Sequence, residues 1–376
     1  MLSSENMYRI VSNTLNIPID DMFVVGKRDN NTKRSFLFIS KLLGKHLAVK
    51  PSTVKDTGAR LASLYSDDGH RVLVIGFCET ATALGLSVAS AINGADYIAT
   101  TREPVIGLRQ ILSFEESHSH APSHSMFSDS ICLYDYDEVV LVDDEITTGH
   151  SMLHLIEQLV GQSSIRRFSV LTILDWRRNA DRQAFNDFAL RHGVRIHVHA
   201  LVTGEITEED HVVYHNKPIT MVENDIPSKA TSVFPRRMVM TTDGPLPYLV
   251  HSGRFGISHD EIDQIETLSQ RAANRIAEDL QGNTVLVLGH GENIYIPSRV
   301  AAKLQEAGFS VMFKTTSRTP IFVDEQIIKD AETFMDRGVR YHFYNREEAE
   351  EFDNVILLAD TPFHAHLCNK LRIYDL

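Results

Sequence analysis

The chain has 376 residues, 43% of them hydrophobic, which exceeds what one core usually supports and predicts two globular units. Its 50 acidic against 37 basic residues give a net charge of −13, which argues against a broad nucleic-acid or anionic-membrane footprint but leaves room for a local basic pocket. Cys78, Cys132 and Cys368 are too few and too widely spaced for a disulfide framework or a Cys-x-x-Cys zinc site.

Residues 1–10 lack a charged stretch followed by an apolar core, and no apolar run approaches membrane-spanning length, so the expectation is a soluble, cytoplasmic protein. Residues 1–68 mix apolar stretches with a basic segment from Lys33 to His46. Most of these cations fit a solvated amphipathic face, although Arg34, Lys41 and Lys45 are candidates to line an anion pocket. Arg71–Ile75 reads as a buried strand, and Gly76 to Gly85 leaves it through small and hydroxylated residues for a helix running to about Ala91. Such a loop at the carboxyl end of a parallel strand, here Cys78, Glu79 and Thr80, suits a phosphate. Glu79 either meets magnesium, water or a cation there, or caps the following helix. Tyr97–Thr100 is a short strand, followed by Arg102. His118, His120 and His124 lie at i, i+2 and i+6 in the next segment; they are zinc ligands or part of a polar loop, and the loop is the preferred reading.

Val139–Val142 is a run of four apolar residues, as expected of a strand buried on both faces of a parallel sheet. It ends in Asp143 and Asp144. Thr147, Thr148, Gly149, His150 and Ser151 then form a small loop, and apolar residues at helical spacing follow from Met152 to Val160. Backbone N–H groups at a helix N-terminus, with threonine and serine hydroxyls beside them, suit a phosphate dianion, while Gly149 permits close approach. Two carboxylates repel phosphate, so they suit neighbouring hydroxyls or a divalent metal sharing them. A ribose 5-phosphate carries both features. Arg167–Leu174 is a further strand, ending in Asp175, Trp176 and Arg177, and Val194–Val202 is expected to close the sheet. Residues 205–250, with five prolines and scattered Val, Ile, Met and Phe, read as a connection wrapped over the surface.

Residues 139–151 resemble the signature with which type I phosphoribosyltransferases bind 5-phosphoribosyl 1-diphosphate (PRPP). The run Gly-Phe-x-Glu-Thr-Ala-Thr-x-Leu-Gly at 76–85 is similar to the subfamily encoded in tellurite-resistance (Ter) gene clusters, which carries a further domain marked Thr-Arg-Ser-Pro. That motif here reads Ser317-Arg318-Thr319-Pro320. The resemblance implies an α/β fold: a type I phosphoribosyltransferase-like parallel sheet followed by a second, degenerate Rossmann-like α/β domain. It divides the chain into a hood at 1–68, a PRPP-binding core at 69–204, a connection at 205–250 and a TRSP-like domain at 251–376. It implies ribose and magnesium contacts for Asp143 and Asp144, 5-phosphate contacts for Thr147 to Ser151, and diphosphate contacts for Cys78, Glu79 and Thr80. It further implies catalytic roles for Arg102, His118, His120 and Asp144, and acceptor contacts for Asp175, Trp176 and Arg177. PRPP, Mg²⁺ and a base-like acceptor are the implied ligands, and a homodimer is compatible with a family whose members often pair. The implied activity is transfer of phosphoribose to a nitrogenous acceptor with release of diphosphate, for a stress-related nucleotide-like metabolite. The alternatives are a PRPP- or nucleotide-sensing regulator without catalysis, and a nucleoside-like phosphorolase or hydrolase.

The second half echoes the first. Val285–Glu292 lies under Val72–Glu79 at an offset of 213, while Arg318, Pro320 and Asp353–Asp360 lie under Arg102, Pro104 and Asp137–Asp144 at an offset of 216. Arg254-Phe255-Gly256 similarly echoes Leu43-Gly44-Lys45 before a helix. Ala359 replaces Asp143, and Thr361-Pro362-Phe363-His364 replaces the phosphate loop, where proline lacks an N–H donor and a bulky ring blocks close approach. The expectation is a unit that has lost its sugar site but keeps His290, Glu292, Arg318 and Asp360 at strand ends. Gly289-x-Gly291 has Ile294 at the third glycine position, so NAD is not expected, and no Walker A sequence is present.

Overall fold

The computed structural model describes residues 7–31, 34–66, 68–114, 124–207, 212–217, 228–324, 326–363 and 367–376. Two parallel sheets organise them, one in each half of the chain. The first has six strands in the order Tyr8–Asn13, Arg195–Ile206, Arg167–Asp175, Glu138–Ile146, Val72–Gly76 and Asp96–Ala99. All neighbours are parallel except Tyr8–Asn13, which pairs antiparallel with Arg195–Ile206. The expected closing strand is therefore interior. Its outer neighbour comes from the hood, a long-range pairing that no local pattern announces. Val72–Gly76 is buried at every residue, as helices on both faces require.

The second sheet runs Ser228–Ala230, Leu371–Asp375, Asn354–Ala359, Thr284–Gly289, Ser310–Thr315, all parallel. Its last four strands correspond in order and direction to Arg167–Asp175, Glu138–Ile146, Val72–Gly76 and Asp96–Ala99. The helices Ala81–Ala89 and Tyr295–Glu306, which follow the equivalent strands Val72–Gly76 and Thr284–Gly289, pack against each other across the seam between the lobes. One continuous apolar core, including Leu84, Val88, Ile296 and Val300, joins the two lobes.

The lobes also exchange edge segments. Val49, just before the helix Thr53–Ala62, pairs through two hydrogen bonds with Phe313 at the edge of the second sheet. Ile257, just before the helix His259–Ala277, pairs in the same way with Tyr97 at the edge of the first. The carbonyls of Gly44 and Gly253 accept from Thr315 and Ala99 at 2.8 and 2.9 Å. Both glycines have positive φ, +64° and +77°, and a Cβ on either would fall 2.8 Å or less from the ring of Phe313 or Tyr97. Only glycine permits these approaches. Between 205 and 250, Ser228–Ala230 joins the second sheet and Arg236–Thr241 with Gly244–Leu249 forms a hairpin over both lobes.

Three helices are clasped at one carboxylate. Glu266 on His259–Ala277 accepts from Lys55 of the first lobe at 2.9 Å and from Arg299 Nε of the second at 2.7 Å. Burial alone raises its carboxyl, but the hydrogen bonds from Arg299 and Lys55 outweigh it and hold the group at about 2. A folded-state value below the ordinary 4.5 contributes stability above that pH, and this stability is lost as pH falls from about 4.5 to about 2. Because Glu266 is one-third exposed, the screened contribution is about 1 kcal/mol. Glu266→Gln is expected to lower stability by that amount at pH 7, with the gap to wild type closing on acidification in urea denaturation. A gap independent of pH would remove the clasp.

Candidate active site

The carboxyl ends of the first sheet open onto a cleft of about 560 Å³. Its walls come from three places: the hood (Arg28, Asp29, Arg34, Leu37, Phe38 and His46), the first sheet's strand ends, and Arg318, Thr319 and Pro320 of the second lobe. The strand bearing the acids runs on to Ile146, so Asp143, Asp144 and Glu145 all stand on it, half-buried, and all three line the cleft. Asp143 accepts from the amide of Asp144 at 3.0 Å. Burial, with Glu145 adding to it, pushes the Asp144 carboxyl up. Glu145 is held by Arg34 at 2.9 Å, and Arg34 in turn lies over the rings of Phe36 and Phe38 at 4.4 and 5.2 Å.

The loop after this strand turns into the helix His150–Gln162 at Gly149, with φ +78°. A Cβ there would lie 2.5 Å from the Phe185 ring, so the turn demands glycine on both counts. Thr147 and Ser151 line the cleft, and the helix's first N–H groups lack helical partners by construction. Thr148 accepts from the His150 amide at 3.5 Å, and His150 itself is exposed.

Cys78, Glu79 and Thr80 form the adjacent wall. The Cys78 amide donates to Thr100 Oγ1 at 2.9 Å, and the Cys78–Glu79 peptide is cis. Burial pushes the Cys78 thiol up to about 12, so it stays neutral. Glu79 meets cations: Lys45 forms a buried ion pair with it, and Arg318 Nε lies 3.8 Å away. Burial lowers the Lys45 ammonium even though Glu79 opposes the shift. Arg102 also lines the cleft, with its Nη2 2.9 Å from His124 Nε2. His118 and His120 lie outside the described residues; the hairpin Gln110–Phe114 and His124–Phe127 flanks them.

The structure brings Arg34, Cys78, Glu79, Thr80, Arg102, Asp143, Asp144, Thr147, Ser151 and Arg318 to the cleft lining, and other sequence candidates sit elsewhere. Lys41 donates to the Asp20 carbonyl at 2.6 Å, away from the acids. Trp176 is 2% exposed and stacks on Phe38 at 4.6 Å, with Tyr8 and Phe23 against its other edges. It therefore holds the hood from beneath and does not face the cleft, which corrects the acceptor-contact expectation. Asp175 and Arg177 form a buried pair at 2.9 Å, with Arg177 against the Gly149 turn. Burial opposes ionisation of Asp175, yet Arg177 and Arg182 hold it below the ordinary range. Neither residue lines the cleft; the Arg177 guanidinium stacks on Phe185, the ring that bounds Gly149.

Of the second-lobe candidates, only Arg318 lines the cleft. Glu292 is buried and accepts from Thr101 Oγ1 at 2.7 Å, the Arg102 amide at 2.9 Å and Arg254 Nε at 2.9 Å. Burial disfavours its charge, but Arg254 and Arg318 keep it ionised. Asp360 accepts from Arg254 at 2.6 Å, and His290 lies between Thr316 and Asp336. The sequence reading missed His46, Glu145 and the Arg28–Asp29 pair. Glu145 was signalled by its place beside Asp144; the hood residues carry no local signal.

A family model described as phosphoribosyl transferase matches residues 22–205, and one described as the TRSP domain C-terminal to that transferase matches residues 251–372. No curated protein matches the chain. Among solved structures, it is similar to adenine phosphoribosyltransferase from Trypanosoma brucei at 15% identity over 49% of this chain and 80% of that one, with a TM-score of 0.36. Adenine phosphoribosyltransferase from Rhodothermus marinus gives 13% identity over 49% and 95%, TM-score 0.34. Orotate phosphoribosyltransferase from Mycobacterium tuberculosis gives 14% over 43% and 77%, TM-score 0.27.

Trp176→Ala is expected to cost roughly 3–5 kcal/mol of stability, as loss of a fully buried aromatic ring does. Chemical denaturation checks this. A variant of unchanged stability would return the ring to the cleft surface.

Proposed function

The chain belongs to the phosphoribosyltransferases that carry a C-terminal TRSP domain, and from that premise we propose that it transfers phosphoribose from PRPP to a nitrogen of a base-like acceptor held between the hood and the second lobe. The observation that carries this reading is the single cleft shared by Asp143, Asp144, Thr147, Ser151 and Cys78–Thr80. Asp143 and Asp144 accept from the ribose hydroxyls, the Thr147–Ser151 turn donates to the 5-phosphate, and the Cys78–Thr80 loop faces the diphosphate.

Transfer breaks the C1–O bond, with its electron pair leaving on diphosphate, while the acceptor nitrogen's lone pair forms the C1–N bond and its proton is lost. PRPP is already activated, so the protein's part is positioning, charge placement and exclusion of water. Leu37, Phe38 and Pro320 give the cleft its apolar lining for a planar acceptor. Among the described residues no cluster of three or more His, Cys, Asp or Glu forms a closed metal cage. Two adjacent carboxylates, Asp143 and Asp144, fit Mg²⁺ bound largely through substrate oxygens, which is how this cation is usually held. When bound, the cation neutralises diphosphate charge. No helix of the described residues is long and apolar enough to cross a membrane. The resemblance to Ter-cluster proteins supports a stress-related, nucleotide-like product.

Asp144→Asn is expected to lower kcat/KM for PRPP by at least about 100-fold with the melting temperature kept within a few degrees. Diphosphate release from PRPP and Mg²⁺ with a panel of nitrogenous bases is the assay. Release that depends strictly on an acceptor supports transfer; unchanged kinetics in the variant would remove the site assignment.

A further inference from the structure

Arg318 enters the cleft from the second lobe, just after the strand Ser310–Thr315. Its Nε donates to the Tyr341 hydroxyl at 2.8 Å and its Nη2 to Glu103 at 2.9 Å. Nη1 donates to no protein group among the described residues, and 15% of the side chain stays exposed on the cleft wall. Two of the three nitrogens are thus anchored, and the third is presented.

The position has a counterpart. Arg102 follows the equivalent strand, Asp96–Ala99, and contacts His124 across its own hairpin at 2.9 Å, as Arg318 contacts Tyr341. In both lobes the strand-end residue pairs with the hairpin through two backbone hydrogen bonds, Thr101 with Ser125 and Ser317 with His342. Both arginines line the one cleft onto which Cys78, Glu79 and Thr80 open.

Local order along the motif says what Arg318 faces. Its guanidinium lies 3.8 Å from Glu79 of the diphosphate-facing loop. The residues after it turn to the hood: the Pro320 carbonyl accepts from the Asp29 amide at 3.2 Å, and Arg28 bridges to Ile321. Arg318 therefore stands at the diphosphate end, with Thr319 and Pro320 at the acceptor end. Glu79 does not cancel it, because Lys45 already pairs with that carboxylate.

We propose that Arg318 is a further catalytic residue, donating from its Nη1 to the diphosphate of bound PRPP so that the second lobe supplies a fixed positive charge to the leaving group of the first. The inference rests on the transferase reading above. As the C1–O bond breaks, its electron pair moves onto an oxygen beside a guanidinium already oriented by Tyr341 and Glu103, so little reorganisation is needed. A planar fork with two nitrogens fixed suits this better than a lysine, which lacks the geometry to be anchored and presented at once.

Calorimetric titration of the full chain with inorganic diphosphate and Mg²⁺, and separately with ribose 5-phosphate, tests the assignment. Arg318→Gln is expected to weaken diphosphate binding by roughly 30-fold, the scale of a lost charge-assisted hydrogen bond, and ribose 5-phosphate by less than about threefold. Arg318→Lys should fall between. Tyr341→Phe, which frees Nε while keeping the charge, should give a smaller diphosphate-specific loss and covers the case in which Arg318→Gln does not fold. Parallel loss of both ligands in the folded variants, or unchanged diphosphate affinity, would overturn the proposal. Failure of the wild type to bind ribose 5-phosphate would instead overturn the transferase reading itself.

Discussion

The seam where the carboxyl ends of the two sheets meet is built from buried charge, and the structure depends on that charge being balanced there, on each side of the seam and, at Glu103, across it. Glu79 is met by Lys45, Glu103 by Arg318 and Arg337 of the second lobe, and Glu292 and Asp360 by Arg254. Taking such groups out of water costs several kcal/mol per ion, so the pairs are weak evidence for net stability. They do fix register. Slide one lobe by a residue and Glu103 is left buried without Arg318 and Arg337, which is far costlier than a lost apolar contact. The apolar packing of Ala81–Ala89 on Tyr295–Glu306 holds the lobes together, and the ions decide where they stop.

The same seam explains why the cleft has one composition and one location. Each lobe gives its pre-helical segment to the other's sheet edge, Val49 to Phe313 and Ile257 to Tyr97, and that exchange carries Lys45 to Glu79 and Arg254 to Glu292. The hood also follows from it: Gly44 and Val49 are tied to the second lobe, while Phe23 and Phe38, earlier in the chain, pack on Trp176 of the first. Hood, first sheet and second lobe are thus three walls tied to one another by backbone pairing and aromatic packing. Positioning chemistry needs walls of this kind.

The strand, acids and glycine turn at 139–151 were legible because their signals are local: a β-branched run, two carboxylates, a residue able to take positive φ. The correspondence between the halves was legible at fixed offsets for a similar reason, since equivalent strands and their first loop residues keep the same order. What stayed hidden depends on long-range pairing. The edge strand Tyr8–Asn13 has no pattern that names its partner, and Asp20, not an anion pocket, claims Lys41. Trp176 illustrates the limit best. It packs under the hood aromatics, far away in sequence, while Asp175 and Arg177 pair with each other, so none of the three lines the cleft.

The second lobe shows how a strand-end site can be filled and its polar groups turned outward. Phe363 stands at the position equivalent to Thr147, is 2% exposed, and packs on His290 and Phe334 at 4.8 and 5.6 Å. Arg236, from the connecting hairpin, takes the carbonyls of Ala359 and Asp360 at 3.3 and 2.9 Å, so backbone groups at that strand end are already satisfied. With that strand end occupied by its own side chains, this lobe's charged residues pair among themselves and, through Glu292, Arg318 and Arg337, across the seam. Glu292 accepts from the Thr101 hydroxyl and the Arg102 amide, Asp360 holds Arg254, and Arg318 keeps a nitrogen without a protein acceptor among the described residues on the cleft wall. A lobe whose own strand end is filled is thereby still a wall of the cleft at the other.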